Sequence, residues 1–288
     1  MSFTTLIEAP VLRNLIGKPD LAVLDCRFDL SNRSRGRAAY LAGHIPGAKY
    51  ADLETDLSGP VTANSGRHPL PAPQHFAAAL ERWGIGKATQ VIVYDDAGGA
   101  YAARGWWLLR WLGHESVAVL NGGINAWVAA GGPLEPGEDK PLTKPIRGGG
   151  RIEPKSNRAA LIETDAVGPF VADPANLLVD ARAAERFSGS VEPIDTVAGH
   201  IGGAVNHPFS ANLGPDGRFL PAAELRRLWE LRLAGRKPER VAAMCGSGVT
   251  ACHNLLSLEI AGFKGARLYA GSWSEWIKDP NRPALRHA

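Results

Sequence analysis

Residues 241–250 read Val-Ala-Ala-Met-Cys-Gly-Ser-Gly-Val-Thr, and their order guides the interpretation of the whole chain. The apolar run at 241–244 predicts a short buried strand, and the glycines around a serine predict a tight loop before a helix that begins at Thr250. Cys245 is therefore expected at the end of a strand and at a helix N-terminus. Successive backbone N–H groups in such a loop form an anion-binding concavity, to which the helix end adds about half a positive charge. Such surroundings favour the thiolate. The segment predicts an activated sulfur nucleophile.

Four motifs of the first half recur in the same order in the second half, which predicts two homologous domains. The pairs are LDCR at 24–27 with VDAR at 179–182, AGHIPGA at 42–48 with AGHIGGA at 198–204, VIVYD at 91–95 with VAAMC at 241–245, and GGINAW at 122–127 with GSWSEW at 271–276. We predict an N-terminal domain at 1–136, a Gly-, Pro- and Lys-rich linker at 137–158 and a C-terminal catalytic domain at 159–288. Asp95 stands where the second half has Cys245, so the first domain is predicted to be non-catalytic.

Short apolar runs alternate with helical patterns in both halves. Predicted strands are 21–24, 90–94, 177–179 and 241–244, and predicted helices are 73–83, 102–112, 221–231 and 250–261. This alternation is typical of an α/β fold in which a mostly parallel sheet is flanked by helices. We therefore expect two tandem domains of this kind, with ligands bound beyond the carboxyl ends of the strands.

Composition restricts the function classes. The chain has 288 residues, 45% of them hydrophobic and 21% charged, and its net charge of +3 does not call for a nucleic-acid partner. Three cysteines form no even disulfide framework, which favours a reducing compartment. No secretory leader is evident, and no apolar run approaches the ~20 residues needed to span a membrane. We expect a soluble cytoplasmic protein that acts without a membrane, a metal or a cofactor, since Cys245, Cys252 and His253 lack paired-ligand spacing.

The chain resembles the tandem-domain rhodanese family of sulfurtransferases, and within it the 3-mercaptopyruvate branch. The resemblance rests on the 245–250 loop, the paired Gly-His-Ile motifs, Arg186-Phe187 after the VDAR motif, and GSWSEW at 271–276. It implies that sulfur moves from a small-molecule donor to a thiol such as thioredoxin, or to cyanide, through a persulfide on Cys245. A persulfide divides the transfer into two displacements.

The binding residues follow from the resemblance and from charge. The backbone N–H groups of the loop would stabilise anionic sulfur, and the hydroxyls of Ser247 and Thr250 can add hydrogen-bond donors. The loop residues are Gly246, Ser247, Gly248, Val249 and Thr250. Arg186 is expected to bind the donor's carboxylate, because guanidinium binds carboxylates bidentately. Thiosulfate is a compact dianion that positively charged side chains in the loop would bind. Because this loop contains no Arg or Lys, we expect 3-mercaptopyruvate to be the preferred donor. Thiosulfate is the alternative donor.

Several positions depart from the family pattern or leave roles open. Asp195 occupies the position, nine residues after Arg186, where many mercaptopyruvate enzymes have a second arginine. The resemblance implies a triad-like arrangement of His44, Ser247 and an upstream acid, yet Arg33 stands eleven residues before His44. For His44 both a turn-stabilising role, indicated by the matching His200, and a catalytic one stay open. Asp180, directly after a strand, is expected to tie loop backbone together. Cys26 and Cys252 are expected to pack.

The sequence disfavours two other function classes. Cysteine phosphatases also place a thiolate in an anion-binding loop before a helix, but they need an arginine after five intervening residues, and this chain has Ala251 there. A binding module that has lost its nucleophile is disfavoured by the intact Cys245 loop.

Overall fold

The structure is a computed structural model that describes residues 2–138 and 150–286. Residues 139–149 of the predicted linker lie outside the described residues. The chain forms two compact units, and each unit includes a short segment from the other half of the sequence. Unit 1 comprises Met1–Gly59, Pro71–Asn157 and Pro215–Phe219, and unit 2 comprises Pro60–Leu70, Arg158–Gly214 and Leu220–Ala288. The domains predicted from the sequence are continuous, so they do not assign Pro60–Leu70 to the second unit or Pro215–Phe219 to the first.

Unit 1 is built on a parallel sheet with the strand order β1-β5-β4-β2-β3 among its described residues. The strands are β1 Leu6–Ile7, β2 Leu21–Asp25, β3 Lys49–Tyr50, β4 Gln90–Tyr94 and β5 Val117–Leu120. The helices are α1 Ala9–Arg13, α2 Arg35–Ala42, α3 Pro73–Arg82, α4 Ala102–Trp111 and α5 Gly123–Ala129.

Unit 2 has a second parallel sheet, whose strand order in the described part of the chain is β7-β6-β8-β9. The strands are β6 Leu177–Asp180, β7 Ala204–Asn206, β8 Val241–Met244 and β9 Arg267–Leu268. The helices are α6 Thr164–Ala172, α7 Ala184–Ser188, α8 Ala222–Leu233, α9 Thr250–Ile260 and α10 Ser272–Trp276. Short 3₁₀ turns lie at Arg158–Ala160, Phe209–Asn212 and Pro238–Arg240.

The predicted strands and helices form because their apolar side chains are buried in the core of each unit. Every residue of β8 is buried, as expected for an inner strand of a parallel sheet covered on both faces. β8 and β4 have the predicted bounds, and α9 begins at the predicted Thr250. α8 differs slightly from its prediction, because Pro221 stands at the N-cap and the helix continues to Leu233. The predicted α/β fold with parallel sheets is confirmed.

The helices in the described parts of the chain are short or carry charged residues. None of them is both long enough and apolar enough to cross a lipid bilayer.

Candidate active site

The site is organised around Cys245, which lies directly after β8 and before α9. Its side chain is buried, and Sγ accepts hydrogen bonds from the backbone N–H groups of Ser247 at 3.5 Å and Gly248 at 3.2 Å. Gly248 has a φ of +77°, and a Cβ there would collide with the carbonyl oxygen of Ala270. Glycine is therefore required for this turn, and the turn is what aims the N–H groups at the sulfur.

The turn that opens α10 holds the backbone of Cys245 in place. Ser272 Oγ accepts a hydrogen bond from Cys245 N–H at 3.1 Å and donates one to Tyr269 O at 2.9 Å. Trp273 N–H donates to Cys245 O at 3.0 Å, and Ser274 N–H donates to Gly246 O at 2.9 Å. Ser272 adopts a φ of +54°, which costs a residue with a side chain of the order of 1 kcal/mol. The hydrogen bonds from both sides offset that strain.

Arg186, at α7, is held by two buried carboxylates. Its Nη2 donates to Glu192 Oε1 at 2.8 Å and to Asp195 Oδ2 at 2.9 Å, and its Nε contacts both oxygens of Glu192. Burial by itself raises the pKa of Glu192, but the hydrogen bonds from Arg186 and from two backbone N–H groups outweigh it and hold that pKa below its usual value. The guanidinium is thus fixed in one orientation by the two carboxyl groups.

The segment Pro60–Leu70 adds two further polar side chains to unit 2. His68 is buried, and its Nδ1 lies 2.8 Å from Ser247 Oγ. Arg67 donates to the second oxygen of Asp195, which therefore bridges two arginines. A Cβ built on Gly246 would lie 2.8 Å from Arg67 Nη2 and 3.5 Å from Arg186 Nη1. Both guanidinium groups therefore lie next to the residue that follows Cys245.

The comparison with known proteins agrees with this geometry. Residues 8–130 and 165–279 both match the rhodanese-like domain. This chain belongs to the rhodanese family. A protein of Pseudomonas aeruginosa named "Probable 3-mercaptopyruvate sulfurtransferase" is 50% identical over 285 residues, which is 98% of this chain and 98% of that protein. The thiosulfate sulfurtransferase of Bos taurus is 35% identical over 269 residues, 90% of this chain and 86% of that protein.

A solved structure supports the same assignment. The structure of SseA from Escherichia coli, described as a 3-mercaptopyruvate sulfotransferase, has a TM-score of 0.79 and 32% identity, and the match covers 95% of this chain and 100% of that one. The rhodanese-family resemblance predicted from the sequence is confirmed.

In this rhodanese-family chain, the histidine that contacts Ser247 within unit 2 is His68. His44 lies in unit 1, where Nδ1 is 2.9 Å from Tyr40 O and the ring stacks on Tyr40. His200 in unit 2 has the matching arrangement, with Nδ1 2.8 Å from Phe187 O. The sequence expectation that paired His44 with Ser247 is therefore corrected, since the repeat places both Gly-His-Ile histidines in local backbone contacts.

Asp180 is fully buried and is bound by the side chain of Arg182, two residues later. Asp180 Oδ1 accepts from Arg182 N–H at 3.0 Å, and Oδ2 accepts from Arg182 Nη2 at 2.7 Å. The same Nη2 donates to Gly199 O at 2.8 Å, so the pair connects the end of β6 to the Gly-His-Ile turn. Unit 1 repeats this arrangement with Asp25 and Arg27. These contacts place Asp180 in the loop framework.

In unit 1, the loop that corresponds to the Cys245 loop binds the carboxyl group of Asp95. Its carboxylate accepts backbone N–H bonds from Ala97, Gly99, Tyr101 and Ala102 at 2.8–2.9 Å. Burial raises the pKa of Asp95, and the four N–H donors oppose that rise. The rhodanese-type loop therefore gathers N–H groups around one negative group, which in unit 1 is the protein's own side chain.

The remaining predicted residues lie within or beside the cysteine loop. Gly246 and Val249 are buried, and Thr250 is half-buried at the first turn of α9. Cys252 is buried, with Sγ donating to Gly248 O at 3.4 Å. Cys26 is buried in unit 1, and burial raises the pKa of its thiol well above the usual value. A thiol with a raised pKa is rarely ionised, so Cys26 is a poor nucleophile.

Sequence reasoning did not single out Arg67 and His68. Both stand in a Ser-Gly-Arg-His-Pro stretch between elements, where glycine and proline predict a loop. An arginine and a histidine on such a loop are the residue types that functional loops carry. That signal does not say which part of the protein the loop contacts.

Proposed function

We propose that this chain is a sulfurtransferase that moves a sulfane sulfur from 3-mercaptopyruvate to a thiol acceptor, or to cyanide, through a persulfide on Cys245. The observation that carries the proposal is the position of Cys245 Sγ against the N–H groups of Ser247 and Gly248. Hydrogen bonds from fixed N–H groups stabilise negative charge that develops on the sulfur during the transfer. The curated relatives named above carry sulfurtransferase names, which supports the same reaction class.

In the first step the Cys245 thiolate attacks the sulfur of 3-mercaptopyruvate. A sulfur–sulfur bond forms, the carbon–sulfur bond breaks, and its electron pair leaves with the three-carbon fragment. The fragment takes up a proton and departs as pyruvate. We assign the transfer of this proton to the hydroxyl–imidazole pair of Ser247 and His68, which are 2.8 Å apart.

In the second step the acceptor thiolate attacks the outer sulfur of the protonated persulfide. The bond to Cys245 breaks, the acceptor leaves as a persulfide, and the Cys245 thiolate is regenerated. A small thiol, cyanide or the exposed thiol of a protein such as thioredoxin has the required chemistry. We place the reaction in the cytoplasm, where thiols are kept reduced.

The choice of donor follows from the charges around the loop. The side chains of Arg67 and Arg186 are matched by those of Glu192 and Asp195, and residues 246–250 contain no cation. A charge-balanced site suits the single carboxylate of 3-mercaptopyruvate better than the two charges of thiosulfate. Thiosulfate remains the second candidate donor, because Asp195 stands where many mercaptopyruvate enzymes have arginine.

Intact-mass measurement tests the intermediate. Incubation with 3-mercaptopyruvate without acceptor should add one sulfur atom to the native protein and none to Cys245→Ser. Cys252→Ser is the matched control, and it should gain the sulfur as the native protein does. A Cys245→Ser protein that still transfers sulfur would refute the role of this thiol.

A comparison of kcat/KM for the two donors, with the same acceptor, tests the choice of substrate. A clear preference for thiosulfate would overturn the assignment of 3-mercaptopyruvate and leave the persulfide chemistry in place.

A further inference from the structure

We propose that Arg67 is a second donor-binding residue, which acts with Arg186 to hold the donor's carboxylate beside Cys245. The proposal rests on the sulfurtransferase function proposed above. It assigns to the segment Pro60–Leu70 a specificity-determining side chain that the family resemblance did not provide.

The first argument is the convergence of the two arginines. A Cβ on Gly246 would lie 2.8 Å from Arg67 Nη2, 3.5 Å from Arg186 Nη1 and 3.7 Å from Arg186 Nη2. Gly246 follows the nucleophile directly, and a side chain there would collide with Arg67 Nη2, so glycine lets both guanidinium groups approach the loop. A carboxylate bound beside Gly246 can therefore accept N–H groups from two guanidinium ions at once.

The second argument is the donor capacity that the protein leaves unused. Arg186 employs Nε and Nη2 on Glu192 and Asp195, and its Nη1 has no hydrogen-bond acceptor within residues 2–138 and 150–286. Arg67 employs Nη1 on Asp195. Its Nη2 also has no acceptor in the described parts of the chain, and its buried Nε is unpartnered there. Charged N–H groups without an acceptor are the groups that an incoming carboxylate satisfies.

The third argument is preorganisation of the segment that carries Arg67. Arg67 N–H donates to Ser274 Oγ at 3.0 Å, and Gly66 N–H donates to Glu275 Oε2 at 3.2 Å. Both acceptors belong to α10, whose N–H groups also bind the carbonyls of Cys245 and Gly246. One short helix therefore fixes both the nucleophile and the proposed donor-binding arginine, which lowers the cost of ordering them when a donor binds.

Asp195 orients the two arginines of the proposed site. Its carboxylate cannot hold a carboxylate substrate, but its two oxygens orient two arginines, Oδ1 toward Arg67 and Oδ2 toward Arg186. The proposed second cation, Arg67, comes from the segment Pro60–Leu70. Arg67 also lines a cleft of about 230 Å³ together with Ile194 and Ile277, and its side chain is 30% exposed.

Steady-state kinetics of Arg67→Gln test the proposal, with Arg226→Gln as the control because Arg226 lies exposed on α8 and pairs with Glu230. We expect Arg67→Gln to raise KM for 3-mercaptopyruvate about tenfold with kcat changed less than about threefold, as for a lost charge-assisted contact. Arg67→Lys, which keeps the charge without the forked geometry, should give an intermediate KM. An unchanged KM in Arg67→Gln would overturn the proposal.

Alkylation of Cys245 supplies a readout that does not depend on sulfur transfer. The ratio of the rates with iodoacetate, an anion, and iodoacetamide, its neutral analogue, should fall severalfold in Arg67→Gln and stay unchanged in Arg226→Gln. Equal slowing with both reagents would show a merely structural role and would overturn the proposal. A lowered ratio in a protein that transfers no sulfur would support the two-arginine site and refute the proposed function.

Discussion

His68 Nδ1 lies 2.8 Å from the hydroxyl oxygen of Ser247, although 179 residues separate them along the chain. Both side chains are buried, and Ser247 is two residues after Cys245. The contact makes His68 part of the site through a segment that belongs to the first half of the sequence and to the second unit of the structure.

The His68–Ser247 pair should act as a unit in catalysis. We expect His68→Asn and Ser247→Ala each to lower kcat with 3-mercaptopyruvate about 100-fold, the low end of general acid–base effects. The double variant should be hardly worse than either single one, because each change removes the same proton path. His75→Asn, an exposed site on α3, is the control. Additive losses would show that the two residues act separately.

Ser272 should matter more for its hydroxyl than for its strained backbone. Ser272→Ala removes the acceptor of Cys245 N–H and keeps a side chain at φ +54°, so we expect the free energy of unfolding to fall by about 1–3 kcal/mol. Ser272→Gly also loses the hydroxyl but relieves the left-handed conformation, and it should recover part of that loss. Denaturant titration of both variants measures the difference. Equal stability of the two variants would contradict the strain argument.

Gly248 should tolerate no side chain. Gly248→Ala places a methyl group against Ala270 O and also imposes a positive φ on alanine, so the N–H groups facing Cys245 Sγ must move. We expect persulfide formation to slow at least about 100-fold, since donors displaced from a developing anion cost that much. Gly235→Ala, with a φ of +81° and open space around it, carries the same backbone penalty without the collision. Stopped-flow donor kinetics that are unchanged in Gly248→Ala would contradict this role.

Acid should destabilise the protein partly through His207. Its ring is buried beside Trp229, and burial lowers its pKa despite the contact between Nε2 and Asn212 Oδ1 at 2.9 Å, while nearby Arg232 lowers it further. The unfolded chain therefore binds a proton at this histidine at a pH where the folded protein does not. The stabilising contribution is complete above the unfolded pKa of about 6.5 and is lost as the pH falls below that value, by about 1.4 kcal/mol for each unit of pKa difference.

His207→Gln tests this linkage. Denaturant titrations at pH 7.5 and pH 5.5 should show a smaller loss of unfolding free energy in the variant than in the native protein. His75→Gln should behave as the native protein does. His114, whose pKa burial also lowers, keeps part of the pH dependence in both variants. An unchanged slope in His207→Gln would rule out the contribution of this histidine.

Local patterns predicted most of the sheet and the nucleophile loop. β8 and residues 91–94 of β4 are buried apolar runs, and the loop at 245–249 contains Gly248, whose φ of +77° no larger residue adopts easily. The internal repeat revealed the two rhodanese domains, because duplicated folds keep the residues that close their turns. The shorter strands, β1, β3 and β9, have two residues each, which is too few to show a period.

The sequence by itself determined the fold class, the position of Cys245 at a helix N-terminus and the role of Asp180 in holding loop backbone, because each depends on neighbours within a few residues. Only the tertiary structure decided which histidine meets Ser247 and which arginine joins Arg186. Arg67 and Asp195 are 128 residues apart, and the contact between them depends on where the segment Pro60–Leu70 packs. The position of this segment is set by its hydrogen bonds to α10 and by its burial in unit 2. Neither can be recognised from a periodic pattern in the local sequence.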